Sequence, residues 1–162
     1  MQRSTAADET MYRFLACTAK QYMTRNVKTV TRQTTMRDLE VLFEKHDFNA
    51  FPVVEDGKML GIVSKFDFLR AFAFTSGRMV PHYNELMGQP VADVMTEAVV
   101  HVDPTSPLPR VLQLMVSLKT RSFPVMHSDH QLEGMISRED VMRALKETTQ
   151  EDRPDGASAD PY

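Results

Sequence analysis

Tryptophan is absent from this chain, cysteine occurs once, and no apolar run approaches the roughly 20 residues that a membrane-spanning helix needs. A single Cys17 excludes an internal disulfide and fits a reducing, cytoplasmic setting. Net charge is also small: 19 Lys and Arg against 22 Asp and Glu leave −3. That balance offers no attraction for nucleic acid or an anionic membrane surface, so neither is an expected partner. Residues 1–10 are polar, without the apolar stretch of a secretory signal. The chain holds no glycine-rich phosphate loop, no metal-binding His-Glu pair and no Ser-His-Asp pattern, so catalysis has no candidate residues. His127 and His130 lie three apart, but in a turn without cysteines or carboxylates at ligand spacing, and no metal is expected. Cys17 lacks a nucleophile signature and reads as structural.

What the chain does have is a sequence said twice. Residues from Met23 to Phe72 and from Met95 to Leu145 read as two copies of one unit, about 72 positions apart. Met23-Thr24 answers Met95-Thr96, Val27 and Val30 answer Val99 and Val102, and Leu42 answers Leu114. Phe51-Pro52-Val53 matches Phe123-Pro124-Val125. After one extra residue, Gly61, Ser64, Asp67, Arg70 and Ala71 fall on Gly134, Ser137, Asp140, Arg143 and Ala144. Two copies of a unit too small to stand alone should pair face to face with pseudo-twofold symmetry, leaving a groove between them. The 12 methionines suit either a flexible core filler or a surface that accommodates variable partners.

Each copy follows one order, β-α-β-β-α, which makes the chain a mixed α/β fold. Short strands are expected at Val27–Thr31 and Val99–Asp103, with hydroxyls in the following turns (residues 32–35 and 104–107) capping helices at 36–46 and 108–119. Leu39, Leu42 and Phe43, and Val111, Leu112 and Met115, supply their apolar faces. Phe-Pro-Val then opens a buried strand, with the proline expected at a strand start or sheet rim. Asp56-Gly57 marks a hairpin turn, and His127 to His130 its looser counterpart. Final helices are expected from Lys65 to about Phe74 and from Arg138 to about Glu147. Around this core, 1–17 reads as an extension with a short helix over 11–17, 18–74 as the first repeat and 75–90 as a linker holding a helical turn at 82–87. The second repeat spans 91–147, and 148–162 reads as a flexible tail.

The chemistry-bearing pattern is Gly-h-h-Ser-x-x-Asp, with h apolar, at Gly61 to Asp67 and again at Gly134 to Asp140. A strand ends at the serine and a helix begins, where unpaired N–H groups favour anions. A serine hydroxyl can hydrogen-bond a phosphate, and an aspartate one turn on can accept from two ribose hydroxyls. The pair reads as nucleotide recognition. It also reads as a capping box, in which the same two residues satisfy the helix start. The two roles are compatible.

The order and spacing of Val94-Met95-Thr96, the Val-x-x-Val strand, Phe-Pro-Val and Gly-h-h-Ser-x-x-Asp resemble tandem CBS domains, a Bateman module, over residues 18–147. That resemblance implies an adenine nucleotide (AMP, ADP or ATP) or S-adenosyl-methionine in the cleft of the repeats. Ser64 and Ser137 would meet phosphate and Asp67 and Asp140 the ribose, with Ile62, Val63, Met135 and Ile136 flanking the base. Thr29-Val30, His101-Val102, Asn49 with Phe51-Pro52, and Arg121 with Ser122-Phe123-Pro124 would complete the pockets. His101 reads equally as a strand histidine with a local hydrogen bond. Family members often carry a basic residue before the Phe-Pro-Val strand; Arg121 supplies it, while Asn49 departs from it, leaving Lys65 and Arg138 as the other nearby cations.

The resemblance thus implies a regulatory, non-enzymatic module that signals to an unidentified protein. The alternative is a dimerisation or scaffold module with no physiological nucleotide. Phe68, Leu69 and Phe72, with Val141, Met142 and Leu145, offer more apolar surface than one small core needs, and a homodimer is expected.

Overall fold

The computed structural model describes residues 13–73 and 82–150, the side chain of Gln150 excepted. The segment 1–10, the first turn of the 11–17 helix, residues 74–81 and the tail from 151 onward lie outside the described residues. Two compact units emerge, and they are not contiguous in sequence. The first-repeat unit comprises Asn26–Val100 with His127–Leu132; the second-repeat unit comprises Met1–Arg25, His101–Met126 and Glu133–Tyr162.

In chain order the helices are α1 (Ala19–Tyr22), α2 (Met36–Lys45), α3 (Lys65–Arg70), α4 (Tyr83–Gly88), α5 (Leu108–Leu118) and α6 (Arg138–Gln150). The strands are β1 (Ala50–Glu55), β2 (Lys58–Ser64), β3 (Ser122–Met126) and β4 (Leu132–Ser137), forming the two-stranded sheets β1-β2 and β3-β4. Among the described residues no helix is long and apolar enough to cross a membrane.

In the first-repeat unit, Asp56 and Gly57 both take positive φ (51° and 77°), which lets a two-residue turn match the strand twist and sets the register from Ala50↔Ser64 to Glu55↔Lys58. A bulge falls at Val53/Val54. Val30 adds one parallel bridge to Val53, its N–H donating to Pro52 O at 3.0 Å and its carbonyl accepting from Val54 N at 2.9 Å. The expected strand at 27–31 therefore shrinks to a single bridge, because Val30 is the one buried residue of that segment. This also explains why Pro52 sits inside β1 rather than at its start. Its nitrogen lies on the same side as its carbonyl, towards Val30, where no continuous ladder asks for an N–H. On the far side, Thr96 makes an antiparallel bridge to Ile62. The core gathers Val30, Met36, Leu39, Phe51, Val53, Val63, Met87 and Val91, so α4 and the 3₁₀ turn Val91–Asp93 pack on α2. Thr35 caps α2 by accepting from Asp38 N at 3.2 Å.

The second-repeat unit repeats the plan. Val102 bridges Val125, Thr24 bridges Met135, and Pro124 O accepts from Val102 N at 3.0 Å. Thr24 belongs to the first copy in sequence yet completes the sheet of the second. Residues 13–16 are helical, and Phe14, Ala19 and Met23 join Val102, Leu108, Val111, Met115, Phe123, Val125, Ile136, Val141 and Ala144 in the core. The capping expectation fails here. The N-cap of α5 is Pro107, without a side-chain bond, and Ser106 Oγ instead accepts from Asp103 N at 3.1 Å. At its end, α6 continues through Gln150, past the expected Glu147, with Thr148 buried and its hydroxyl donating back to Ala144 O at 2.8 Å.

The surplus of apolar surface is smaller than the sequence suggested. Val141 is buried, and Phe68, Phe72 and Leu145 pack partly against their own cores. Leu69 and Met142 are exposed at 65% and 67%, joined by Phe66 at 71%.

Candidate functional site

The repeated motif is built by close approach. A Cβ on Gly61 would stand 2.6 Å from Thr96 O, and one on Gly134 would stand 2.6 Å from Thr24 O. Only glycine lets the Met-Thr backbone lie this near the strand. Two residues on, Val63 and Ile136 turn into the cores with no exposed surface, whereas Ile62 and Met135, on the opposite face, remain partly open.

Each strand then ends at the serine. Ser64 N donates to Asp67 Oδ2 at 2.9 Å, Ser64 Oγ donates to the same oxygen at 2.7 Å, and Asp67 N donates to Ser64 Oγ at 3.0 Å. The second copy repeats this with Ser137 and Asp140 at 2.8, 2.9 and 3.3 Å. The helix-start donors are thus engaged: Lys65 N also donates to Asn49 O at 2.9 Å, and Arg138 N to Arg121 O at 3.0 Å. Both aspartates are buried. Their second oxygens take Arg70 at 3.0 Å and Arg143 at 3.1 Å, and Thr96 Oγ1 reaches Asp67 Oδ1 at 3.5 Å. Arg70, Arg143 and Thr96 were given no role in the sequence reading, although their recurrence in both copies was the signal that marked them.

The remaining expected site residues fall on neighbouring strands. Val30, Phe51 and Pro52, and Val102, Phe123 and Pro124, are buried scaffold. Thr29, Asn49, His101, Arg121 and Arg138 are exposed, with Ser122 and Lys65 in intermediate positions. Arg138 Nε donates to Thr120 O at 3.2 Å, and among the described residues the Arg121 guanidinium has no ion-pair or hydrogen-bond partner.

The copies differ in the segment that leads into β1 and β3. In the first-repeat unit, His46 and Phe48 stack at 5.3 Å with an 8° interplanar angle, and Phe48 meets Phe51 edge-on at 5.7 Å. Lys65 Nζ lies 5.8 Å over the Phe43 ring. Of these rings His46 and Phe48 were not singled out from sequence, because Leu118 and Thr120 stand at their places in the second copy.

In the second-repeat unit, Arg143 donates to Tyr22 O at 2.9 Å and lies 5.8 Å from the Tyr22 ring. A cavity of about 350 Å³ there is lined by Cys17, Gln21, Tyr22, Arg143 and Glu147. The Tyr22 phenol is pushed up to about 12 by burial first, then by Cys17 and Glu147. Arg32 and Glu55 pair at 2.9 Å in the first-repeat unit, and Arg32 holds the Glu55 carboxyl below its ordinary value. Among the described residues, no group of three or more His, Cys, Asp or Glu side chains is placed to hold a metal ion.

Two α/β units, each ending a hairpin in Gly-h-h-Ser-x-x-Asp against a Met-Thr bridge, define a tandem-repeat module. The sequence model of the CBS domain matches residues 19–74 and 91–147, and the chain belongs to the CBS domain family. It is 31% identical over 131 residues to an uncharacterised protein of Methanocaldococcus jannaschii, MJ0188, covering 80% of this chain and 44% of that protein. The chain spans about half the length of the first curated relatives it matches. Among solved structures it is similar to CBSX2 in complex with AMP, at 29% identity and TM-score 0.66, covering 80% of this chain and 96% of that one. It is also similar to the CBS domain pair of protein MJ0100 in complex with 5′-methylthioadenosine and S-adenosyl-L-methionine, at 20% identity and TM-score 0.66, covering 82% and 98%. At that identity the second likeness shows the fold alone.

Proposed function

We propose that the chain is a non-catalytic regulatory module that senses an adenosine-type ligand, AMP, ADP, ATP or S-adenosyl-methionine, through the Ser-x-x-Asp element of each repeat. The observation that carries this reading is the exposed Arg121, unpartnered among the described residues, whose backbone carbonyl holds the helix start at Arg138, one residue from Ser137. A cation on the strand that meets this helix start, with a serine hydroxyl and a buried carboxylate on the helix, suits two parts of a ribonucleotide: the phosphate and the paired ribose hydroxyls. The likeness to CBSX2, crystallised with AMP, supports the choice of adenine. Ile62 and Met135, rather than the core residues Val63 and Ile136, are the apolar residues open to a base. A bound nucleotide regulates only if it favours one of two states, so the module's output would be a change offered to a partner protein.

A homodimer is part of the same reading, because Phe66, Leu69 and Met142 leave apolar side chains in water. A strictly monomeric mass at micromolar concentration would remove it. The scaffold reading, with no physiological nucleotide, draws on the capping bonds: Ser64–Asp67 and Ser137–Asp140 are satisfied without ligand. Calorimetric titration with AMP, ADP, ATP and S-adenosyl-methionine separates the two. The sensing reading expects saturable binding of at least one, and loss of AMP affinity by more than about tenfold in Arg121→Gln, since a charge-assisted bond is worth roughly 1.5–3 kcal/mol. No binding by any of the four leaves the scaffold.

A further inference from the structure

We infer that Arg143 is a tether that a bound ribose releases: it ties the carboxylate of Asp140 to the segment 13–24, so that occupancy of the second-repeat corner is read out in that segment. This rests on the ribose reading of Asp140 given above and adds what the bound sugar does to the chain.

A carboxylate has about four lone-pair positions, two on each oxygen. On Asp140, Oδ2 accepts from Ser137 N and from Ser137 Oγ, at 2.8 and 2.9 Å, and is filled. Oδ1 takes Arg143 Nη2 at 3.1 Å, which leaves one position open among the described residues. Two adjacent ribose hydroxyls bring two donors. One fits the open position, and the other must take the place of the guanidinium. The same Nη2 donates to Tyr22 O at 2.9 Å, on the last residue of α1. One nitrogen thus joins the buried carboxylate to a segment whose Phe14, Ala19 and Met23 lie in the core and whose Thr24 bridges Met135. A second partner for Arg143 is already in place. Its Nε stands 4.0 Å from Glu147 Oε1, and both side chains line the cavity with Cys17, Gln21 and Tyr22. Arg143 and Glu147 are about half exposed, so trading one carboxylate for the other costs little.

The first-repeat unit has the same parts in a different fit. Arg70 Nη2 meets Asp67 Oδ1 at 3.0 Å but Val94 O only at 3.4 Å, a marginal bond. Thr96 Oγ1 also reaches Asp67 Oδ1, at 3.5 Å, so a ribose hydroxyl meets a weak threonine contact there before it meets the arginine. Release of the guanidinium, and with it the signal, therefore belongs to the second-repeat unit.

The test uses the full chain and its single cysteine, Cys17, which shares the cavity with Arg143. Saturating AMP should raise the rate at which dithiobis-nitrobenzoate labels Cys17 by roughly two- to fivefold, the worth of one half-exposed ion pair. 2′-Deoxy-AMP brings one hydroxyl of the pair, so it should bind, as followed by calorimetry, and leave the labelling rate where it was. Arg143→Gln should label at the fast rate with or without AMP, and should bind AMP roughly two- to fivefold more tightly because nothing has to be displaced. Arg143→Lys keeps a cation for Asp140 without the planar fork that spans both acceptors. It too should lose the response to AMP, which keeps the test decisive where the glutamine variant folds poorly. Saturable AMP binding with an unchanged labelling rate, an equal response to 2′-deoxy-AMP, or weaker AMP binding by Arg143→Gln overturns the tether and leaves the adenosine reading standing. Absence of AMP binding by the wild type overturns that reading itself, and the tether with it.

Discussion

Ahead of β3 the second-repeat unit exposes Arg121, unpartnered among the described residues, and ahead of β1 the first-repeat unit carries a pair of stacked rings. Almost everything beneath these corners is the same in both. Each has a glycine approached by a Met-Thr carbonyl, a serine and aspartate locked by three hydrogen bonds, an arginine on the free carboxylate oxygen, and a proline inside its first hairpin strand. The lesson is that what recurs is scaffold, held by backbone geometry. What differs is a short loop before a strand, where the side chains sit at the edge of the core and both an exposed arginine and a pair of stacked rings are accommodated.

That contrast can be broken first at the glycines, where the largest effect is expected. Gly134→Ala should destabilise by about 1–3 kcal/mol, because its Cβ would lie 2.6 Å from Thr24 O and 2.8 Å from Met23 Sδ. Gly61→Ala should cost less, since Met95 Sδ stands at 3.3 Å there. Denaturant unfolding of both variants checks the order; a larger loss at Gly61 would mean that the methionine sulfur is not the second obstacle.

The aspartates sharpen the comparison between cap and ligand contact. Asp67→Ala and Asp140→Ala should each cost about 1 kcal/mol as lost caps, with little added by Arg70 and Arg143, whose side chains are about half exposed. If they also hold ribose, the wild type should bind 2′-deoxy-AMP more weakly than AMP, and Asp140→Ala should erase most of that difference. Changes in melting temperature with unchanged discrimination would make these residues caps alone.

The smallest effect belongs to Tyr22, whose counterpart in the other copy is Val94. Its folded-state value of about 12 exceeds the ordinary 10.0, so its contribution is fully present below pH 10 and is lost as pH rises through 12. Tyr22→Phe should flatten the stability profile over that window, and an unchanged slope would assign the alkaline loss to other groups.

Much of this molecule was legible in its residues. Asp56-Gly57 requires the turn it makes, the apolar run Met59-Leu60-Gly61-Ile62-Val63 marks the second hairpin strand, and Ser-x-x-Asp starts both final helices. These are local signals, decided by dihedral preference and spacing over a few residues. The partial packing of Phe68 and Phe72 against their own core was not legible, because the helix there is only six residues long and Phe72 lies beyond its end. Nor was the His46–Phe48 stack, which depends on how α2 ends against β1.

The doubled plan, the α/β class and the serine-aspartate start of both final helices were determined by sequence alone, since each is written in repetition and short-range pattern. Only the tertiary structure decided that Thr24 completes the sheet of the second copy and Thr96 that of the first, and that Arg70 and Arg143 neutralise the buried carboxylates. A single β-bridge leaves no periodicity to read, so its partner is set by which backbone a side-chain-free glycine allows to approach.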